Sequence, residues 1–217
     1  IRGTYVIRFG QLESEGIGHF SLPIEIYLLE VKSGVHSTYR HIDLWYTHKI
    51  VCNEALKKKW TQNLIIVPRL VKPLHLINRM IPGGELHEIP YRRITDDNVP
   101  WQIIDIHDVL PNNKPIIKFS ETDIIDCIKL LKEYGFDITR KYVCFSVRDG
   151  TFHNDSDLSS HRNSSINEYS EAMIYLVKLG YQVLRIGSKT AETLSLNNPS
   201  IYDYATNGMR SDFMDVY

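Results

Sequence analysis

Residues 141–187 leave the chain few ways to fold. A nearly unbroken apolar and β-branched run, from Tyr142 through Val143, Cys144, Phe145 and Ser146 to Val147, is followed by Arg148, Asp149, Gly150 and a polar loop to Arg162. Such a run fits a strand of a parallel sheet covered on both faces. Ser165 with Glu168 three residues on has the form of a capping box, and Ile166, Tyr169, Ala172, Met173, Leu176 and Leu179 share one helical face. Gly180 ends that helix and a second strand pattern runs directly to Gly187, so the segment is a βαβ unit. Ligands of open α/β sheets sit beyond the carboxyl ends of the strands. Arg148, Asp149, Gly150, His153 and Arg162 fall there, and a guanidinium beside a glycine and a helix N-terminus suits a bidentate grip on phosphate. The plainer alternative is that Arg148 pairs with Asp149 or Asp155 and pins the loop.

The rest of the chain repeats this alternation. Strand patterns over 4–9, 42–46 and 64–67 are separated by helical ones, the first carrying Ile24, Tyr27, Leu28 and Val31 with Pro23 near its first turn, the second over 54–60. A further helical segment covers 68–79, and prolines and glycines break 81–115 into irregular structure. Ser120 caps a helix striped by Ile124, Cys127, Ile128 and Leu131 and ended by Gly135. After Gly187 the pattern predicts a short helix over 190–194, a strand over 201–204 and a helix starting near Met209. The expected fold is therefore α/β with two Rossmann-like, doubly wound lobes, 1–115 and 116–217. The first residue lies close to a strand and the last inside an apparent helix, so the second lobe reads as truncated and the chain as a fragment.

A net charge of −1 makes no electrostatic case for nucleic acid. Cys52, Cys127 and Cys144 are odd in number, far apart and set among apolar residues, which predicts buried thiols in a reducing compartment. No apolar run approaches membrane-spanning length and no signal peptide is visible, so the expected location is cytoplasmic. Between Ala55 and Gly84 stand Lys57, Lys58, Lys59, Arg69, Lys72 and Arg79 with no acidic residue, interleaved with Leu70, Val71, Leu74, Leu76, Ile77, Met80 and Ile81. The segment 57–79 thus has the make-up of a basic amphipathic surface for peripheral contact with the inner membrane face, or of an ordinary solvated helix.

Gly16, Gly18 and His19 lie between the first strand and helix, where a backbone approaches ligands closely and a histidine is available as a base near neutral pH. A capping histidine is the alternative. Ser21 stands where a dinucleotide fingerprint needs its third small residue, and Gly16 follows the strand too late, so a dehydrogenase is disfavoured. Asp155 and Asp157 have the D-x-D form of a metal site but do not follow a strand directly, and no metal is expected. Asp203, at a strand end, suits a ribose or sugar hydroxyl or a cap; Ser188 and Lys189, just past a strand, suit phosphate.

Gly16, Gly18, His19 and Pro23 resemble the glycine-histidine loop of GT-B-fold glycosyltransferases, in many of which that histidine deprotonates the acceptor hydroxyl. Arg148, after the first strand of the second lobe, matches an arginine that contacts donor phosphates in fucosyltransferase-like members. Taken in order, Arg8 to Gly10, Gly18-His19, Val147 to Asp149, Arg162-Asn163, Arg185 to Gly187, Asp203 to Ala205 and Ser211 to Asp215 resemble an uncharacterised family of bacterial glycosyltransferase-like proteins. The resemblance implies metal-independent transfer from a nucleotide-sugar, the co-substrate in place of a cofactor, to a glycan or lipid-linked acceptor in surface polysaccharide synthesis. His19 would be the base; Arg148, Arg162, Ser188 and Lys189 would hold the donor phosphates; Gly16, Gly18, Asp149 and Asp203 would form the acceptor or sugar-binding loops. A nucleotide-sugar 2-epimerase of the same fold and a non-enzymatic two-lobe sugar- or phosphate-binding protein remain as alternatives.

Overall fold

The computed structural model describes residues 5–36, 40–90, 105–151 and 161–217. His153, Asp155 and Asp157 lie outside the described residues. The chain divides into two compact units, Ile1–Lys118 and Phe119–Tyr217, each an α/β unit on a three-stranded parallel sheet.

The first unit runs β1 (Val6–Leu12), α1 (Ile17–Lys32), β2 (His41–Thr47), α2 (Glu54–Trp60), β3 (Ile65–Ile66), α3 (Pro68–Asn78), a 3₁₀ turn (Gly84–His87) and α4 (Val109–Asn112), with strand order β1-β2-β3. On the edge of β1 away from β2, Phe9 forms a parallel bridge to Glu88, with Ile89 N donating to Phe9 O at 3.0 Å. Alternate residues of β1 face opposite ways, and each face has its own cover. Arg8, Gly10 and Leu12 are buried on the α1 side, where Tyr27 meets Trp45 edge-on and the Trp60 indole donates to Phe20 O at 2.7 Å. On the other side α3 brings His75 to stack on Phe9 and to bond the Tyr46 hydroxyl at 3.2 Å.

The strand pattern expected over 4–9 stops before Gly10. Instead β1 continues through Gly10, which pairs with Trp45 of β2 and whose missing Cβ would stand 2.8 Å from Ile89 and from the Trp45 ring. The glycine serves close packing rather than a turn. In consequence α1 starts at Ile17, so Gly18 and His19 belong to its first turn and Pro23 lies inside the helix. Arg8 donates to Asp43 at 2.7 and 3.0 Å and to the Tyr27 hydroxyl at 2.7 Å, while Tyr27 itself donates to Asp43. Burial, and then the Asp43 charge, push the Tyr27 phenol far above its ordinary pKa.

The second unit runs α5 (Glu121–Glu133), β4 (Tyr142–Ser146), a 3₁₀ turn (Ile166–Tyr169), α6 (Ser170–Lys178), β5 (Gln182–Ile186) and β6 (Ile201–Asp203), in the order β4-β5-β6. Leu131, Phe136, Tyr204 and Met209 pack on one face with Leu184, Ile186 and Tyr202; Ile166, Met173, Val183 and Ile201 pack on the other. The Ser120 cap forms as a reciprocal box with Asp123.

Five expectations are corrected by the structure. β4 is an edge strand of its sheet and packs by one face: Phe145 lies against the Ile166–Met173 cluster, while Tyr142, Cys144 and Ser146 on the opposite face are exposed instead of covered. Cys144 on this strand is therefore an exposed thiol, Cys52 in the first unit is half-buried, and of the three only Cys127 is fully buried. Ser165 accepts from Asn167 N, which starts a 3₁₀ turn in place of the box with Glu168, and Tyr169 and Leu179 end up exposed. No helix forms over 190–194: the N–H groups of Ala191, Leu194 and Ser195 donate to the side chains of Asp149, Asp203 and Asn167 at 2.6, 2.9 and 2.8 Å. The helix expected from Met209 is a run of turns, pinned where the Tyr204 hydroxyl and Arg210 both donate to Asp215. Among the described residues, no helix is long and apolar enough to cross a membrane.

Candidate functional site

The carboxyl ends of β4 and β5 build one rim. Ser146 pairs with Ile186 in the parallel register, so Arg148 and Ser188 stand equally far beyond the ends of neighbouring strands. Asp149 joins the two loops: one carboxylate oxygen accepts from Ala191 N at 2.6 Å and the other from Thr151 N at 3.1 Å. Burial pushes its pKa up, but these backbone donors outweigh it and hold the carboxyl below its usual range. Gly150 turns the chain in the left-handed region at φ 78°, which a side chain would resist. Ser164 N donates to Arg148 O at 2.9 Å, and Arg162, two residues before Ser164, is exposed. Ser188 is half-buried and Lys189 exposed. The Oδ1 of Asn163, next to Arg162, is a buried acceptor with no hydrogen-bond partner.

Asp203 stands one strand further on and is occupied within the fold. It accepts from Arg185 at 2.9 and 3.1 Å, from Leu194 N at 2.9 Å and from the Thr206 hydroxyl at 2.6 Å. Burial raises its pKa, and the bonds from Thr206, Leu194 and Arg185 more than reverse that. Asp203 therefore shapes the 187–196 loop that carries Ser188 and Lys189. Glu192 and Asn167 fix the same loop from the other side, Glu192 accepting from Ile166 N and Asn167 Nδ2 at 3.1 and 3.0 Å.

In the first unit, His19 is exposed on the first turn of α1. Gly16 holds the N-cap position in extended conformation with no side-chain cap, and no acidic residue occupies the first turn. The strand-to-helix loop is fixed by Ser14, a fully buried serine whose hydroxyl donates to Ile50 O at 2.8 Å and accepts from His48 N at 3.1 Å. At the same sheet end, His48 Nε2 bonds Glu13 at 2.9 Å. Leu12 pairs with Thr47, which sets Glu13 and His48 level with each other one residue past their strands. Sequence reasoning passed over this pair and Ser14, because residues 35 apart meet only through strand register. The spacing of histidines along a single element carries no trace of it.

A cavity of about 540 Å³ opens elsewhere, toward the amino ends of β1 and β2, where Arg8, His36, His41, Glu85 and Glu88 line it. Its polar groups are largely committed: Arg8 to Asp43, His36 to Glu30 at 2.9 Å, and Glu88 to His75 at 2.6 Å. The position opposite the strands' carboxyl ends makes it the weaker candidate. Among the described residues, no three His, Cys, Asp or Glu side chains group as a metal site requires. Compared with models of known families, with characterised proteins and with solved structures, the chain matches none.

Proposed function

We propose that the protein transfers a sugar from a nucleotide-sugar to a hydroxyl of a glycan or lipid-linked acceptor, on two doubly wound Rossmann-like lobes. The single observation that carries this reading is the Asp149 tie, which sets Arg148 and Ser188 side by side beyond the strand ends of one βαβ unit. The Glu88 bridge supports the winding. The chain proceeds from β1 to β3 and then returns to the far edge of β1, a reversal of the kind at which α/β sheets bind ligands.

The chemistry follows from these groups. The acceptor oxygen attacks the anomeric carbon, a histidine at the first unit's strand ends takes its proton, and the carbon–oxygen bond to the diphosphate breaks. Arg148 neutralises the charge developing on the departing diphosphate, with Arg162, Ser188 and Lys189 as further donors, each charge-assisted hydrogen bond contributing about 1.5–3 kcal/mol. His19 is the base in this reading. The Glu13 contact favours His48 as a second candidate, since a carboxylate bonded to one ring nitrogen orients the imidazole.

A thermal-shift screen against UDP, GDP, ADP, dTDP and CMP tests the donor class. A nucleotide at about a hundred times its dissociation constant adds about 2.7 kcal/mol. For a chain of this size each kcal/mol raises the midpoint by about 2–4 °C. One nucleotide is expected to stabilise the wild type and not Arg148→Ala. A well-folded wild type that responds to none of them sinks the nucleotide-sugar reading.

A further inference from the structure

The helix α3 is built the wrong way round for a helix that meets only water. Its buried side consists of Val71, His75 and Asn78, two of them polar and committed to hydrogen bonds with Tyr46, Glu88 and Gly84 O. Its solvent side is the more apolar one. Leu70, Leu74 and Ile77 recur at i, i+4 and i+7, a single stripe, and are 58, 40 and 56% exposed; Ile81, 55% exposed, lies in the turn that follows the helix. Leu76, between Arg69 and Lys72 around the helix, is 51% exposed, and Met80, in the turn after it, is 82% exposed. Water-facing helices carry charge on that side, and a contiguous apolar surface of this kind marks a docking site.

The charges around the stripe identify what docks. Arg69 and Lys72 lie exposed on the same helix, and Arg79 follows its last turn. Between Ala55 and Gly84 there is no acidic residue. The nearest acids in the chain beyond it are Glu85 and Glu88, and Glu88 is taken by His75 and by Arg79 at 3.3 Å. An apolar stripe with Arg69 and Lys72 on the same helix and no acid within its own segment matches a surface that is apolar below and anionic above.

We propose that the outward face of α3 and the turn after it rests on an anionic lipid bilayer, with Leu70, Leu74, Ile77, Met80 and Ile81 entering the acyl boundary and Arg69 and Lys72 meeting lipid phosphates. The inference stands on α3 alone and does not depend on the transfer chemistry.

Co-sedimentation of the full chain with vesicles of phosphatidylcholine, with and without half phosphatidylglycerol, tests it. The wild type is expected to bind the anionic vesicles at least tenfold more tightly than the neutral ones and to lose most of that preference in 0.5 M salt. Ile77→Ser with Met80→Ser should weaken binding to anionic vesicles at least tenfold. Arg69→Glu with Lys72→Glu should abolish the lipid preference. Both pairs alter exposed side chains and should leave the melting temperature unchanged. Folded wild type that ignores anionic vesicles overturns the proposal, as does binding that survives both pairs. Self-association that is lost in Ile77→Ser with Met80→Ser, without vesicle binding, overturns it in favour of a second copy of the chain.

Discussion

Arg185→Ala is expected to destabilise the second unit by about 3–5 kcal/mol, the cost of leaving one partner of a buried ion pair alone. The Arg185 side chain is 2% exposed and Asp203 13%, so water cannot replace the lost guanidinium. The variant also frees Glu192 O, which Arg185 holds at 3.1 Å, and loosens the loop that carries Ser188 and Lys189. Urea unfolding followed by far-UV circular dichroism reads the loss directly. The effect has a definite pH dependence. The folded pKa of Asp203 lies below its unfolded value, so the carboxylate's contribution is complete above about pH 4 and fades as pH falls through the folded value. The gap between wild type and variant should therefore narrow in acid. A variant as stable as the wild type at neutral pH would show that Asp203 is held well enough by Leu194 N and Thr206.

On the proposed transfer reading, with His19 as the general base, His19→Ala is expected to lower the rate of sugar transfer by about 10²–10⁴-fold at saturating donor, the usual contribution of such a base. Because His19 is exposed, the same change should leave the melting temperature and donor affinity almost untouched. His48→Ala separates the two histidines. Loss of the ring removes the Glu13 contact, and if His48 only ties the loops together the rate falls little. A large loss in His48→Ala with near-normal His19→Ala would move the base to the His48–Glu13 pair. Full rates in both would remove the histidine from the mechanism.

The parts of the fold that were legible in the sequence are those set by local chemistry. The Ser120 cap and the helix it starts depend on four consecutive residues, and α2 is capped by Asn53, whose side chain accepts from Leu56 N at 2.7 Å. The parallel α/β class also followed, since alternating strands and helices admit few other arrangements. What was illegible depends on partners distant in the chain. Gly10 looked like the end of a strand because its neighbours Trp45 and Ile89 are not its neighbours in sequence. The 190–194 segment has helical spacing, yet side chains from residues 149, 167 and 203 claim its N–H groups. In α3, periodicity reveals apolar stripes but not which of them faces the sheet, and the interior takes the one with His75 and Asn78.

The candidate site divides in the same way. Arg148, Asp149, Ser188 and Lys189 could be picked out because each follows a recognisable strand, and their proximity rests on the Ser146–Ile186 register and the bond from Ala191 to Asp149. Asp203 was placed correctly at a strand end, but its four hydrogen bonds come from Arg185, Leu194 and Thr206, a commitment that strand-end position does not disclose.

The most direct test of the central claim is a ¹H–¹⁵N NMR titration of the full chain with the nucleoside diphosphate that gives the largest thermal shift. The account predicts that the amides of Arg148, Asp149, Gly150, Gly187, Ser188 and Lys189 move together and saturate with one dissociation constant, and that Arg148→Ala abolishes the response. Shifts confined to the residues around the Arg8, His36 and His41 cavity, with the strand-end loops still, would contradict it.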